Sequence, residues 1–94
     1  MTNATFAEYK AAAHREGYDE VVERIWPAGT VVAQHEHAFS VKALVVAGEL
    51  WLTDGGTTRH LRLGEVFELA AATPHAERYG DAGATIWAAR RKPR

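Results

Sequence analysis

From Tyr18 to Arg90 the chain is broken by glycine- or proline-bearing turn signals roughly every 8–12 residues, a spacing that leaves room for short strands and excludes long helices. The segments between the signals are Tyr18–Trp26, Thr30–His37, Val41–Ala47, Glu49–Thr53, Thr57–Leu61, Glu65–Leu69, Pro74–Tyr79 and Ala84–Arg90. Asp54-Gly55-Gly56 reads as a hairpin turn, because glycine adopts the left-handed backbone that tight hairpins need. A run of short strands with no linker and no repeat argues one all-β sandwich or small barrel. Trp26, Phe67, Trp87 and the aliphatic positions are expected to fill its core. Val41–Ala47 is apolar on both faces apart from Lys42. A strand buried on both faces needs a cover, and a helix or a second copy of the chain would serve. We expect a homodimer.

Ahead of the strands, Phe6 to Gly17 reads as a short helix. Phe6, Tyr9, Lys10 and Ala13 fall near one face, and Ala11-Ala12-Ala13 has high helix propensity. Thr5 with Glu8 has the spacing of a capping box, and Gly17 is the stop. The expected organisation is a helical segment over residues 1–17, a barrel over 18–90 and a basic tail over 91–94. The basic cluster Arg90-Arg91-Lys92-Pro93-Arg94 reads as a solvated terminus.

Composition narrows the chemistry. Ninety-four residues are enough for one domain, and a domain of that size gains from a bound metal or a partner subunit. With no cysteine, disulfides, zinc ribbons and thiolate catalysis are excluded, so any metal must rest on histidine, carboxylate or other oxygen donors. A net charge of −1 calls for neither nucleic acid nor membrane. No signal-peptide core or membrane-length apolar run is evident, so the expected location is the cytoplasm.

Five histidines are present. His35 and His37 are two apart on an expected strand, which puts both rings on one face. His75 follows Pro74 at the start of a later strand, and a rolled barrel can bring it to the same point. Neutral imidazoles bind a divalent ion at about 2.0–2.2 Å, and three of them leave positions open for water or substrate. His60, beside the hairpin and Arg59, reads as a solvated residue, and His14 as a surface residue of the helix.

The spacing around these histidines is itself a pattern. Gly29, five residues, His35-x-His37 and ten residues to Gly48 form one part; Gly64, ten residues and His75 form the other. This resembles the two motifs of the cupin superfamily, its small single-domain members in particular, over roughly Tyr18 to Arg90. The resemblance implies a jelly-roll β-barrel with a divalent transition metal (iron, zinc, nickel, copper or manganese) at its centre. It implies His35, His37 and His75 as ligands. The glutamate of the first motif falls at Val41, or at Lys42 in a longer register. The proline and glycine of the second fall at Ala70 and Ala72, and its asparagine at Tyr79.

Glu77, two residues past His75, should share its inward face, with Tyr79 next along that face. Both are candidate catalytic residues. Glu77 can bind metal, act as a base, orient a histidine or merely pair with Arg78. Glu36 should point away from the site, and Lys42 to the outer face. A neutral three-histidine shell keeps the full charge of the ion, favours zinc, copper, nickel or iron(II) and holds manganese less well. The resemblance implies a metal-dependent dioxygenase, isomerase or lyase acting on a small organic molecule. The alternative is a non-catalytic binding or sensing module.

Overall fold

The turn signals resolve into fewer and longer strands than their spacing suggests. In the computed structural model, which describes residues 5–93, one helix, α1 (Phe6–Arg15), precedes six strands. They are β1 (Glu20–Trp26), β2 (Val31–His35), β3 (Ser40–Asp54), β4 (Thr57–Leu61), β5 (Val66–Leu69) and β6 (His75–Arg91). Residues 1–4 of the expected helical segment and Arg94 of the expected tail lie outside the described residues. β6 runs through Arg90, the expected end of the last strand, and takes in Arg91 from the expected basic tail.

The two long strands replace four expected short ones. β3 runs through Gly48, and β6 runs through the expected turn Gly80–Gly83. Glycine can end a strand or bend one, and sequence alone does not separate the two uses. Here it bends both. Gly48 and Gly83 sit at φ of +72° and +70°, and the β3–β6 register slips between Val45 and Ala47 and again between Gly48 and Leu50. The inward positions change parity across each bend. On β6 they run His75, Glu77, Tyr79 and then Ala84, Ile86, Ala88; on β3 they run Val41, Ala43, Val45 and then Leu50, Leu52.

The bends divide the barrel into two layers. In one, β1, the second half of β6, the first half of β3 and β5 lie side by side. In the other, β2, the first half of β6, the second half of β3 and β4 do. All pairs are antiparallel, as a jelly-roll requires. Val45, Leu50, Leu52, Phe67 and Ile86 form the core between the layers.

α1 covers the outer face of the first layer. Thr5 and Glu8 form the expected capping box, and Ala13 on the helix's inner face is buried against Tyr18, Val21 and Ala89. Phe6 and Tyr9 each pack on Trp87 with ring centroids 5.6 Å apart. Trp87 therefore belongs to the helix–sheet interface rather than to the barrel interior. The Tyr9 hydroxyl donates to the carbonyl of Lys42 (3.1 Å), and the Lys42 ammonium meets Glu16 at 3.0 Å. Lys42 thus faces outward, as expected. Lys10 is exposed, off the face that packs.

The crossing of the two bends is tight. A Cβ on Gly48 would overlap the backbone of Gly83, whereas one on Gly55 at the hairpin would meet nothing within 4 Å. Both glycines have positive φ, which costs an L-residue about 1–2 kcal/mol. Gly55→Ala should lose about that much. Gly48→Ala should lose distinctly more, lowering the melting temperature by roughly 10 °C or further. Equal losses in thermal denaturation would show that the crossing is not close-packed.

Candidate metal centre

Three imidazoles meet where β2 ends and β6 begins. His35 is the last residue of β2 and His75 the first of β6, paired directly across the ladder. His37 lies beyond the end of β2, so strand alternation does not place it as the sequence reading supposed. Its position comes instead from a backbone tie: the carbonyl of His37 accepts the amide of Ala72 at 2.7 Å. That bond joins the loop after β2 to the turn ahead of His75. Ring centroids are 4.9 Å apart for His35–His37, 4.3 Å for His35–His75 and 5.1 Å for His37–His75. One ring nitrogen from each lies within 4.8 Å of the other two.

Backbone carbonyls fix two of the rings. The Nδ1–H of His35 donates to Ala33 O (2.8 Å), and that of His75 to Thr73 O (2.9 Å). A carbonyl only accepts, so in the neutral ring the free lone pair is on Nε2. Holding a liganding histidine through its second nitrogen is what metal sites require. His75 is almost fully buried. The His37 ring stacks on Phe39 at 4.8 Å. Its basicity is held below the ordinary histidine value of 6.5, first by burial and then by its neighbours His35 and His75.

Glu77 supplies the nearby carboxylate. Its Oε2 lies 3.3 Å from His75 Nε2 and 3.6 Å from His35 Nε2. Its Oε1 accepts a short hydrogen bond from the Tyr79 hydroxyl. Burial, and then this bond, push the Tyr79 phenol far above its ordinary range. Tyr79 in turn stacks on Trp26 at 4.8 Å. Glu77 makes no ion pair with Arg78, whose guanidinium lies over Trp51 at 4.1 Å. Val41, at the motif's glutamate position, is part of the apolar cavity wall.

While the His75 ring is neutral, its Nε2 and Glu77 Oε2 confront one another as two acceptors in a buried place; a protonated ring would make the same contact an ion pair. With the ring neutral, that arrangement favours a cation between or beside them. Two nitrogens sharing one ion at 2.0–2.1 Å can be at most about 4.2 Å apart, so small side-chain rotations close the group on a metal. The donor set fits a divalent transition ion.

A cavity of about 240 Å³ opens beside the three rings. Phe39, Phe67 and Tyr79 face it, Tyr79 on the inward face expected for it. Arg24 and Arg90 also line it, and sequence reasoning passed over both. Alternation was a usable signal for Arg24, which shares a face with Trp26 on β1. His60 is not a lone solvated residue: its Nε2 meets Glu49 at 2.6 Å and its ring stacks on Trp51 at 4.4 Å. Trp51 and His60 are cross-strand neighbours, an association invisible before the register is known. His14 is exposed, its Nδ1 bonded to Tyr18 O, and Glu36 is exposed.

No protein-family model and no curated protein matches the sequence. Solved structures do match in shape. A DMSP lyase structure described with RdDddP and RnDddQII superposes with a TM-score of 0.70 at 22% identity, over 76% of this chain and 37% of that one. KdgF from Halomonas sp. gives 0.66 at 21%, over 78% and 69%. A cupin superfamily protein from Desulfitobacterium hafniense gives 0.67 at 16%, over 81% of each chain. At these identities the likeness is one of fold, and the chain spans little more than a third of the lyase's length.

Ala72 stands at the motif glycine and has a φ of +63°, the sole positive φ among described non-glycine residues. The tie to His37 holds it there. Ala72→Gly should relieve about 1 kcal/mol of backbone strain, less the extra freedom glycine brings to the unfolded chain. The net expectation is a melting temperature raised by a few degrees. A decrease would show that Ala72 is not strained.

Proposed function

For a chain that folds as a single cupin barrel, we propose that His35, His37 and His75 bind one divalent transition metal and that the site acts on a small organic molecule. The observation that carries this reading is the convergence of three imidazoles, two with Nδ1 committed to backbone carbonyls, on one mouth of a cavity. Iron(II), zinc, nickel and copper suit three neutral nitrogens better than manganese does. When bound, such an ion supplies Lewis acidity and open positions for a ligand. The chain's own residues supply the rest. Glu77, with Oε1 held by Tyr79, keeps Oε2 beside the rings and is placed to accept a proton from a ligand seated there. The buried Tyr79 hydroxyl holds its proton and orients that carboxylate. The reaction classes in keeping with this are dioxygenase, isomerase and lyase. We also propose a cytoplasmic homodimer.

Elemental analysis of protein purified without chelator should give close to one divalent ion per chain. Metal at a hundredfold excess over its dissociation constant should stabilise the metal-free barrel by about 2.7 kcal/mol. His37→Ala should weaken binding more than about a hundredfold, since loss of an outer partner alone costs 10–100-fold. His60→Ala, on the other sheet face, should leave metal binding unchanged. A melting temperature indifferent to zinc, nickel, copper, iron and manganese would overturn the reading.

A non-catalytic binding module is the second reading, favoured by the apolar cavity wall of Val41, Ala43, Phe67, Leu69 and Ile86. Aerobic incubation of the metal-loaded protein with catechols, 1,3-diketones, flavonols and cysteine-type thiols separates the two. Oxygen uptake or product formation is expected of the enzyme; silence across the panel would favour the binder.

A further inference from the structure

Two arginines reach the cavity from the inner faces of their strands, Arg24 on β1 and Arg90 on β6. Arg24 is solvent-exposed and Arg90 partly so, which sets both guanidiniums at the solvent-accessible margin of the cavity, within reach of a ligand that enters it. Arg24 lies over the Trp26 ring at 4.7 Å and makes no ion pair among the described residues. Arg90 lies over Phe39 at 5.0 Å, and its partner Glu20, at 3.1 Å, is largely in solvent. Both aromatic rings border the same cavity. Each guanidinium thus lies over a cavity ring, with donors left over.

The cavity holds one acidic side chain against these two cations, Glu77, and its oxygens are already engaged with Tyr79, His75 and His35. Arg90 has Glu20 outside the cavity as its partner, and Arg24 has no carboxylate partner among the described residues. A divalent ion on the histidines would add positive charge. The rest of the wall is hydrocarbon, and the volume of about 240 Å³ is below the roughly 300–1,000 Å³ of pockets that take drug-sized ligands.

We propose that the ligand is a small organic carboxylate, its acid group received by Arg24 and Arg90 and its carbon skeleton lying against Phe67, Leu69 and Ile86. Guanidinium forks match carboxylate geometry. The apolar wall selects an organic acid over an inorganic anion, which would leave that surface uncovered. The orientation of the ligand, with its remaining polar end toward the three histidines, rests on the metal reading above. The preference for acids does not, because the arginines are present with or without the ion.

The test is calorimetric titration of the zinc-loaded full-length chain, and of the chelator-treated chain, with acetate, lactate, pyruvate, succinate and benzoate. Each is compared with its neutral amide, and inorganic phosphate is a further arm. At least one acid should bind about tenfold or more tighter than its amide and than phosphate. Arg24→Gln should remove about that factor while zinc content and circular dichroism stay as in the parent, and Arg24→Lys should restore part of it. Arg90→Gln should act in the same direction. Acids binding no better than amides or phosphate, acids binding Arg24→Gln as tightly as the parent, or a panel that does not bind at all would each overturn the proposal. Failure to take up zinc counts against the metal reading alone, and the acid preference is then read from the metal-free titration.

Discussion

β3 and β6 are hydrogen-bonded to each other along most of their lengths, and every other strand is hydrogen-bonded to one of the two. β1 and β2 attach to β6, and β4 and β5 attach to β3. A pair of straight strands of 15 and 17 residues would make a flat sheet with no inside. The pair folds over because both members bend where Gly48 and Gly83 approach too closely for any side chain. Each bend also exchanges inward for outward positions, so the same two strands present a continuous apolar interior on both sides of the corner. The cavity follows from that corner. The first half of β6 delivers His75, Glu77 and Tyr79, and the second half delivers Ile86, Ala88 and Arg90.

The histidine group depends on this frame in two separate ways. The β2–β6 ladder sets His35 opposite His75. The His37–Ala72 bond sets the third ring by tying two loops together. Neither device uses the rings themselves, so the imidazoles are organised by backbone and remain available to a ligand. The same holds at closer range, where carbonyls of Ala33 and Thr73 take the Nδ1 protons and turn the other nitrogens toward Glu77.

Much of this was legible in the chain. The Thr57–Leu61 strand, the Thr5–Glu8 cap, the inward Glu77 and the outward Lys42 all follow from local rules of period and capping. The grouping of His35, His37 and His75 followed from spacing together with the cupin resemblance. The reason for the position of His37 did not, since β2 stops short of it. The continuity of β3 and β6 was hidden because a glycine at a bulge and a glycine at a turn are the same letter. The partnership of His60 with Glu49 and Trp51 depends on cross-strand register, which no local pattern encodes. Arg90 was hidden because an inward Trp87 would turn it outward by alternation, whereas Trp87 packs under the helix and Ile86 and Ala88 face inward.

Charge decides what such a cavity can hold. Around His75, itself buried, the chain has gathered lone pairs: with the rings neutral, two imidazole nitrogens and a carboxylate oxygen lie within 3.3–3.6 Å, His35 being partly open to solvent. Buried acceptors facing acceptors are unfavourable unless a cation intervenes. On the same cavity the chain has placed guanidiniums, which are donors only, and they favour an anion. Neither guanidinium pairs with Glu77 among the described residues: Arg24 lies over Trp26 in reach of solvent, and Arg90 lies over Phe39 and pairs with Glu20. A ligand that satisfies both the acceptors and the guanidiniums must carry a donor atom for an ion and a separate negative group, which is a stricter requirement than either set imposes alone.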